Sequence, residues 1–271
     1  MTVPDLPPLK EVIAKYGLDA RKKLGQHFLH DLNLTGRIAR VAGDLGDCHV
    51  IEIGPGPGGL TRALLAAGAK QVTAVETDPR CVIALGELAL AYQGRLRVIE
   101  ADALDTDLTT LCPGPRRIVA NLPYNIATPL LIGWLKQIDQ FDGLTLMFQK
   151  EVADRITARP GGKAFGRLAV ITQWLCEARL DFNISRTAFT PPPKIDSTVI
   201  TLTPRDKPLA PAQMAVLEKV TAAAFGQRRK MLRASLRHLN VDLQSLGIDP
   251  TARAETLSVE QFCAIARTIA E

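Results

Sequence analysis

The chain has 271 residues, 46% of them hydrophobic, with a net charge of +5 and a pI near 9.0. That is enough apolar content for one substantial domain and a small second one. No apolar run reaches the ~18 residues of a membrane span, and the opening MTVPDLPPLKEVIAKYG lacks the apolar region and cleavage site of a signal peptide. A soluble, cytoplasmic protein with no membrane partner is expected. The five cysteines are scattered without a C-x-x-C pair, which argues against a disulfide framework and against a zinc site, so no metal is expected. The basic balance favours a polyanionic partner. Aromatic residues make up only 5% of the chain, which suits one or two placed rings better than a multi-ring stacking platform.

In chain order, the runs HVIEIG, QVTAVE, LRVIEA, RIVANL and GLTLMF predict buried strands between about residues 49 and 150. Between them LTRALLAAG, PRCVIALGELALAY and TPLLIGWLKQI carry helical spacing and Pro or Gly punctuation. Such alternation predicts a doubly wound parallel α/β sheet, in which ligands bind beyond the carboxyl ends of the strands. A helix is predicted over 167–176, then strands in LDFNIS and STVITLT, antiparallel and joined by RTAFTPPPKID. PRDKPLAP reads as a linker, and only helical periods follow it. Ser258 with Gln261 predicts a capping box for the last helix. The division expected is a first domain over 1–205, including an N-terminal helical motif, and a helical domain over 206–271.

The loop Glu52-Ile53-Gly54-Pro55-Gly56-Pro57-Gly58-Gly59 follows the first strand and satisfies G-x-G-x-x-G. Glu76 closes the second strand 22 residues after Gly54, where a carboxylate can accept both ribose hydroxyls. A dinucleotide and S-adenosylmethionine both fit to this point. Prolines at 55 and 57, the Glu52 carboxylate ahead of the first glycine, and Asp102 after the third strand favour the methyl donor. Glu52 can hold an ammonium group, directly or through water, and Asp102 can accept from an adenine amine.

Asn121-Leu122-Pro123-Tyr124 close the fourth strand and suit alkylation of an exocyclic amine on a base. The lone pair of such an amine is delocalised into the ring. Hydrogen bonds accepted by the Asn121 amide oxygen and the Leu122 carbonyl pull the nitrogen toward sp³ geometry. Pro123 restricts Leu122 to extended geometry, and Tyr124 offers a ring for a flipped base. Further on, Arg229, Arg233 and Arg237 at i, i+4 and i+8, with Lys230 beside them, predict one basic helix face over 227–240, with Met231, Leu232, Ser235, Leu236 and Leu239 opposite. Arg21, Lys22 and Lys23 form a second basic cluster.

Taken together, LGQHFL (24–29), EIGPGPGGLT, NLPYNIATPLL, MFQKEVADRI and FTPPPKIDSTV resemble the small-subunit ribosomal RNA adenine N6,N6-dimethyltransferases of the KsgA (RsmA) type over nearly the whole chain. The resemblance implies a class I, Rossmann-like methyltransferase sheet of seven strands, the last antiparallel, with a small helical C-terminal domain that binds rRNA. It implies S-adenosylmethionine contacts from His27, Leu29, Gly54, Glu76, Asp102 and Asn121, where His27 stands in place of the usual Asn. It also places the Phe189 ring against the target adenine, sandwiching it with Tyr124. The substrate implied is a pair of adjacent adenosines near the 3′ end of 16S rRNA in the small ribosomal subunit. A monomer is expected. Alternatives are a large-subunit (23S) rRNA adenine methyltransferase and a non-catalytic ribosome-assembly or transcription factor on the same fold.

Overall fold

A computed structural model describes residues 5–19, 26–227 and 229–270 of the chain. The chain divides into two compact units, Met1–Lys150 with Leu180–Leu202, and Glu151–Arg179 with Thr203–Glu271.

In the first unit, α1 (Leu9–Tyr16) ends at Gly17, whose left-handed conformation closes the helix. A short β1 (Phe28–Leu29) leads into α2 (Leu32–Val41), capped by the Asp31 carboxylate, which accepts from the Asn33 and Leu34 amides. The doubly wound core follows: β2 (His49–Ile53), α3 (Gly59–Ala66), β3 (Gln71–Glu76), α4 (Pro79–Ala91), β4 (Leu96–Glu100), β5 (Arg116–Asn121), α5 (Ala127–Leu135) and β6 (Gly143–Gln149). Asp78 caps α4, and Pro79 sits where its missing N–H is no loss. β2 is buried along its whole length, as a strand covered on both faces must be, whereas β4 alternates toward solvent at the sheet edge.

After α6 (Lys150–Thr157) and α7 (Arg167–Leu175) come β7 (Cys176–Ile184), a two-residue β8 (Phe189–Thr190) and β9 (Ser197–Pro204). The strand order is β4-β3-β2-β5-β6-β9-β7, seven strands in all. β2 pairs with β3 and β5 in parallel, and β9 pairs with β6 antiparallel, Leu146 opposite Ile200. Bonds from Thr198 to Asn183 and from Thr201 to Asp181 run in opposite order along β9 and β7, which makes that pair antiparallel too. The chain leaves β2 toward β3 on one side and returns to β5 on the other, so the topological switch point lies between the ends of β2 and β5.

The second unit contains α6 and α7 together with α8 (Met214–Phe225), α9 (Leu232–Ser235) and α10 (Val259–Ala270). Phe225 packs edge-on to Phe165 at 6.1 Å and against Phe262 at 5.4 Å. The capping box is present, since the Ser258 amide donates to Gln261 Oε1 at 2.9 Å and the Gln261 amide to Ser258 Oγ at 3.3 Å. The division expected at 205/206 keeps 151–179 with the sheet. Instead α7, with seven of its nine residues buried, joins the helical unit, because its apolar surface is matched by α8 and α10 rather than by a strand.

The expected continuous helix over 227–240 does not form. Met231 is extended (φ −68°, ψ 154°) and exposed, not on a core face. α9 then lasts one turn, a 3-10 turn covers Arg237–Leu239, and Asn240 closes it in the left-handed region. The cause is non-local: the Leu232 and Arg233 amides donate to the carbonyls of Ala252 and Pro250, so the helix starts afresh at that point. Arg229, Lys230, Arg233 and Arg237 are all exposed, whereas Leu232, Ser235 and Leu236 are buried. β7 likewise begins at Cys176, earlier than the strand predicted from LDFNIS.

Candidate active site

A cavity opens at the switch point, lined by Gln26 to Leu29, the loop after β2, Glu76, Asp102 and Asn121 to Tyr124. It therefore gathers His27, Leu29, Gly54, Glu76, Asp102, Asn121, Leu122, Pro123 and Tyr124. Arg21, Lys22 and Lys23, with Leu24 and Gly25 of the N-terminal motif, lie outside the described residues.

The glycines of the loop answer to close neighbours. Gly54 (φ +65°) lies so that a Cβ would be 3.5 Å from Pro123 Cδ, which brings the glycine loop onto the NLPY turn. At Gly56 (φ +55°) a Cβ would be 2.8 Å from the Phe28 ring, so only glycine permits both the conformation and the contact.

Three carboxylates stand around the cavity with different partners. Glu76, 5% exposed, accepts from the Gly56 amide at 3.0 Å, the Thr77 amide at 2.8 Å and the Asp78 amide at 2.9 Å. Burial raises its pKa, and those three bonds act in the opposite direction. Asp102 is exposed and accepts from the Leu104 amide through Oδ1, leaving Oδ2 for a ligand. Glu52 is 1% exposed and accepts from the Thr61 hydroxyl at 2.6 Å. Burial lifts its pKa to about 8, Thr61 lowers it, and the nearby Glu76 raises it again. No cation pairs with Glu52 among the described residues.

A prediction follows for the donor-free protein. The folded-state pKa lies above the ordinary carboxylate value, so the native state holds a proton that the unfolded chain releases. Stability therefore falls as pH rises from about 4.5 to about 8. Glu52→Gln has no proton to lose, and its melting temperature relative to the wild type should climb by about 5 °C or more between pH 5 and pH 9. Parallel melting curves across that range would contradict the raised pKa.

Asn121 ends β5 with its amide oriented by a neighbour. Its Nδ2 donates to the His27 carbonyl at 3.2 Å, and a carbonyl can only accept, so the NH₂ group must face His27. The amide oxygen is left as the free acceptor. The Ile126 amide donates to Pro123 O and closes the turn into α5. Tyr124 is held at two places: its hydroxyl shares a 2.7 Å hydrogen bond with Ser197 Oγ, and its ring stacks on His27 with centroids 5.4 Å apart.

Sequence reading missed Ser197, which lies 73 residues from Tyr124 and is fully buried on β9. Only its place at the end of the FTPPPKIDS run hinted at it. Ser197→Ala should lower kcat about 3- to 10-fold through a looser Tyr124 ring, with donor affinity unchanged by calorimetry. Gln26 and Asp78 were also missed. Gln26 donates to Asp78 at 3.2 Å, and the Arg80 guanidinium, 2.7 Å away, holds the Asp78 carboxyl down at about 2.

Phe189, for which the resemblance implies a place against the base, is packed inside the fold. Phe189 is 2% exposed, sits opposite Leu29 in the β1–β8 pair, and belongs to a core with Phe182, Ile184 and Val199. The cavity wall does not include it. Its neighbours are aliphatic and aromatic, so turning the ring outward would expose that core to water.

A parallel sheet with a single antiparallel strand, carboxylates at successive strand ends, and NLPY at the switch point define a class I, Rossmann-like methyltransferase. The family model for ribosomal RNA adenine dimethylase matches residues 17–271, and the chain belongs to that family. It is 63% identical over 268 residues to the ribosomal RNA small subunit methyltransferase A of Rhodospirillum rubrum, covering 97% of this chain and 93% of that one. Among solved structures, a dimethyladenosine transferase from Plasmodium falciparum superposes with a TM-score of 0.78 at 26% identity, covering 90% and 98% of the two chains. The 23S rRNA methyltransferase ErmE superposes with a TM-score of 0.69 at 29% identity, covering 90% and 100%.

Proposed function

We propose that this protein transfers methyl groups from S-adenosylmethionine to N6 of two adjacent adenosines near the 3′ end of 16S rRNA, giving N6,N6-dimethyladenosine during small-subunit biogenesis. The observation that carries the reading is the Asn121 amide, turned by the His27 carbonyl so that its oxygen is the free acceptor beside Tyr124. Family membership and the names of the close relatives favour the small subunit over the large one.

The cavity suits the donor. Glu52, a buried carboxyl with no cation beside it among the described residues, answers an ammonium group, Glu76 answers ribose hydroxyls, and Asp102 Oδ2 is open to an adenine amine. His27, Leu29, Gly54 and Asn121 complete the contacts we assign to it. The bound donor supplies an electrophilic methyl group on a thioether leaving group. The protein's part is positioning: the Asn121 oxygen and the Leu122 carbonyl accept from the target amine and localise its lone pair, while Tyr124 stacks on the base. No general base is needed, because the nitrogen becomes strongly acidic as its new bond forms.

Exposed Arg229, Lys230, Arg233 and Arg237 are assigned to the RNA phosphates, although they stand on a turn and two short helical segments rather than one helix. Reversing charge at Arg229, Arg233 and Arg237 should weaken small-subunit binding and reduce the slope of log K against log salt by about 2 to 3. An unchanged slope would assign these side chains to solvent. No helix among the described residues is long and apolar enough to cross a membrane. A cytoplasmic monomer acting on the small subunit completes the proposal.

Methyl incorporation into undermethylated small subunits, large subunits and DNA, measured side by side, tests the whole reading. Label confined to small-subunit adenosines is expected. Label in large subunits would favour the 23S alternative, and no label anywhere the non-catalytic one.

A further inference from the structure

Arg80 stands on the first turn of α4 and spreads its guanidinium over three neighbours. Nε and Nη2 donate to the Asp78 carboxylate at 3.1 and 2.7 Å, Nη1 donates to the Gly17 carbonyl, and Nη2 reaches the Asp19 carbonyl at 3.3 Å. Gly17 and Asp19 flank Leu18, which is 1% exposed and packs with Cys81 and Ala84 of α4. The guanidinium thus fastens the chain that follows α1 onto α4.

Asp78 is 1% exposed, and its acceptor positions are all taken. Oδ1 accepts from the Arg80 amide and Nε, and Oδ2 from Arg80 Nη2 and from Gln26 Nε2 at 3.2 Å. A carboxylate has about four such positions, so Asp78 keeps none for a ligand. Its backbone amide donates to Glu76 at 2.9 Å. Gln26 and Glu76 both line the donor cavity, whereas Asp78 does not. The Asp78–Arg80 pair therefore stands behind two walls of that cavity, one at the N-terminal motif and one at the end of β3.

We propose that Arg80 is a positioning residue for the donor cavity, acting through Asp78 and touching no donor atom, a role that rests on the reading of Glu76 as the acceptor for the ribose hydroxyls. A buried carboxylate needs a cation to stay charged, and Arg80 supplies it. The guanidinium is a rigid, planar fork, so its two contacts also fix the rotation of the carboxylate and with it the place of Gln26. Without Arg80, Asp78 must swing toward water or take up a proton. Either change releases the Gln26 wall from the Glu76 turn.

The test compares Arg80→Ala, Asp78→Asn and the double variant. S-adenosylhomocysteine affinity is measured by calorimetry, and kcat and both KM values on undermethylated small subunits. Arg80→Ala should raise the Kd for S-adenosylhomocysteine and the KM for S-adenosylmethionine about 5- to 30-fold, with kcat at saturating donor and the KM for subunits within threefold of the wild type. Asparagine caps a helix as well as aspartate does but offers no charge to Arg80, so Asp78→Asn should show the same loss. The double variant should be no weaker than the worse single one, because both changes break one unit. Losses that multiply in the double variant would overturn the role. So would a lower melting temperature with unchanged donor affinity, since Arg80 would then only fasten the end of α1 to α4. If Arg80→Ala does not fold, Asp78→Asn and Arg80→Lys carry the test, and wild-type affinity in both overturns it. Weakened Glu76→Ala beside unaffected Arg80 variants removes the positioning role alone, whereas wild-type affinity in Glu76→Ala removes the donor reading on which it rests.

Discussion

Asn121→Ala is expected to lower kcat for methyl transfer on the order of 10²- to 10³-fold, the usual cost of removing one aimed hydrogen-bonding group from a reacting centre. The amide oxygen is committed to the reaction because its partner nitrogen is committed to the His27 carbonyl. Alanine removes both, so the target amine loses an acceptor and the 27–29 segment loses a tie to the end of β5. Asn121→Asp should be no better than alanine, since a carboxylate has no N–H for His27 and sets an oxygen against its carbonyl. Single-turnover methylation of undermethylated small subunits, with S-adenosylhomocysteine affinity measured separately, separates chemistry from donor binding. Turnover within a few fold of the wild type in Asn121→Ala would remove the proposed role.

Glu76→Ala should abolish useful donor binding, with Kd rising about 100-fold or more. One carboxylate does two jobs here. It offers acceptors to the cavity, and it receives the Gly56, Thr77 and Asp78 amides that set the shape of the glycine loop and of the turn into α4. Truncation leaves three amide donors to find water, at a cost of about 1–3 kcal/mol for each that stays dry. The melting temperature should therefore fall by several degrees in addition to the loss of affinity. Calorimetry gives the first quantity. Thermal unfolding with and without S-adenosylhomocysteine gives the second, and the stabilisation the ligand confers on the wild type should vanish in the variant. Wild-type affinity in Glu76→Ala would mean that the carboxylate serves the loop alone.

Residues whose role depends on local pattern were legible in the sequence. Parallel strands with buried centres read as apolar runs, so β2, β3, β5 and β6 are legible nearly to the residue, and with them Glu76 and Asn121 at their ends. The Ser258 and Gln261 box was legible because its partners are three residues apart. The 227–240 stretch shows where the same reasoning fails. An apolar period there is satisfied equally well by one helix or by short turns, and carbonyls from 250 and 252 made the choice.

By itself the sequence determined the parallel core, the carboxylates at successive strand ends, the NLPY turn at the switch point and, through its motifs, the family. Only the tertiary structure decided which groups meet. Asn121 reaches His27 across 94 residues and Tyr124 reaches Ser197 across 73, and neither pairing leaves a periodic trace in the chain. The β1–β8 pairing buries Phe189, for which the family resemblance implies a place against the base. The physical reason is common to all three. Backbone propensity and burial act on neighbouring residues and mark the sequence, whereas the aim of a side chain is set by whatever the fold brings alongside it.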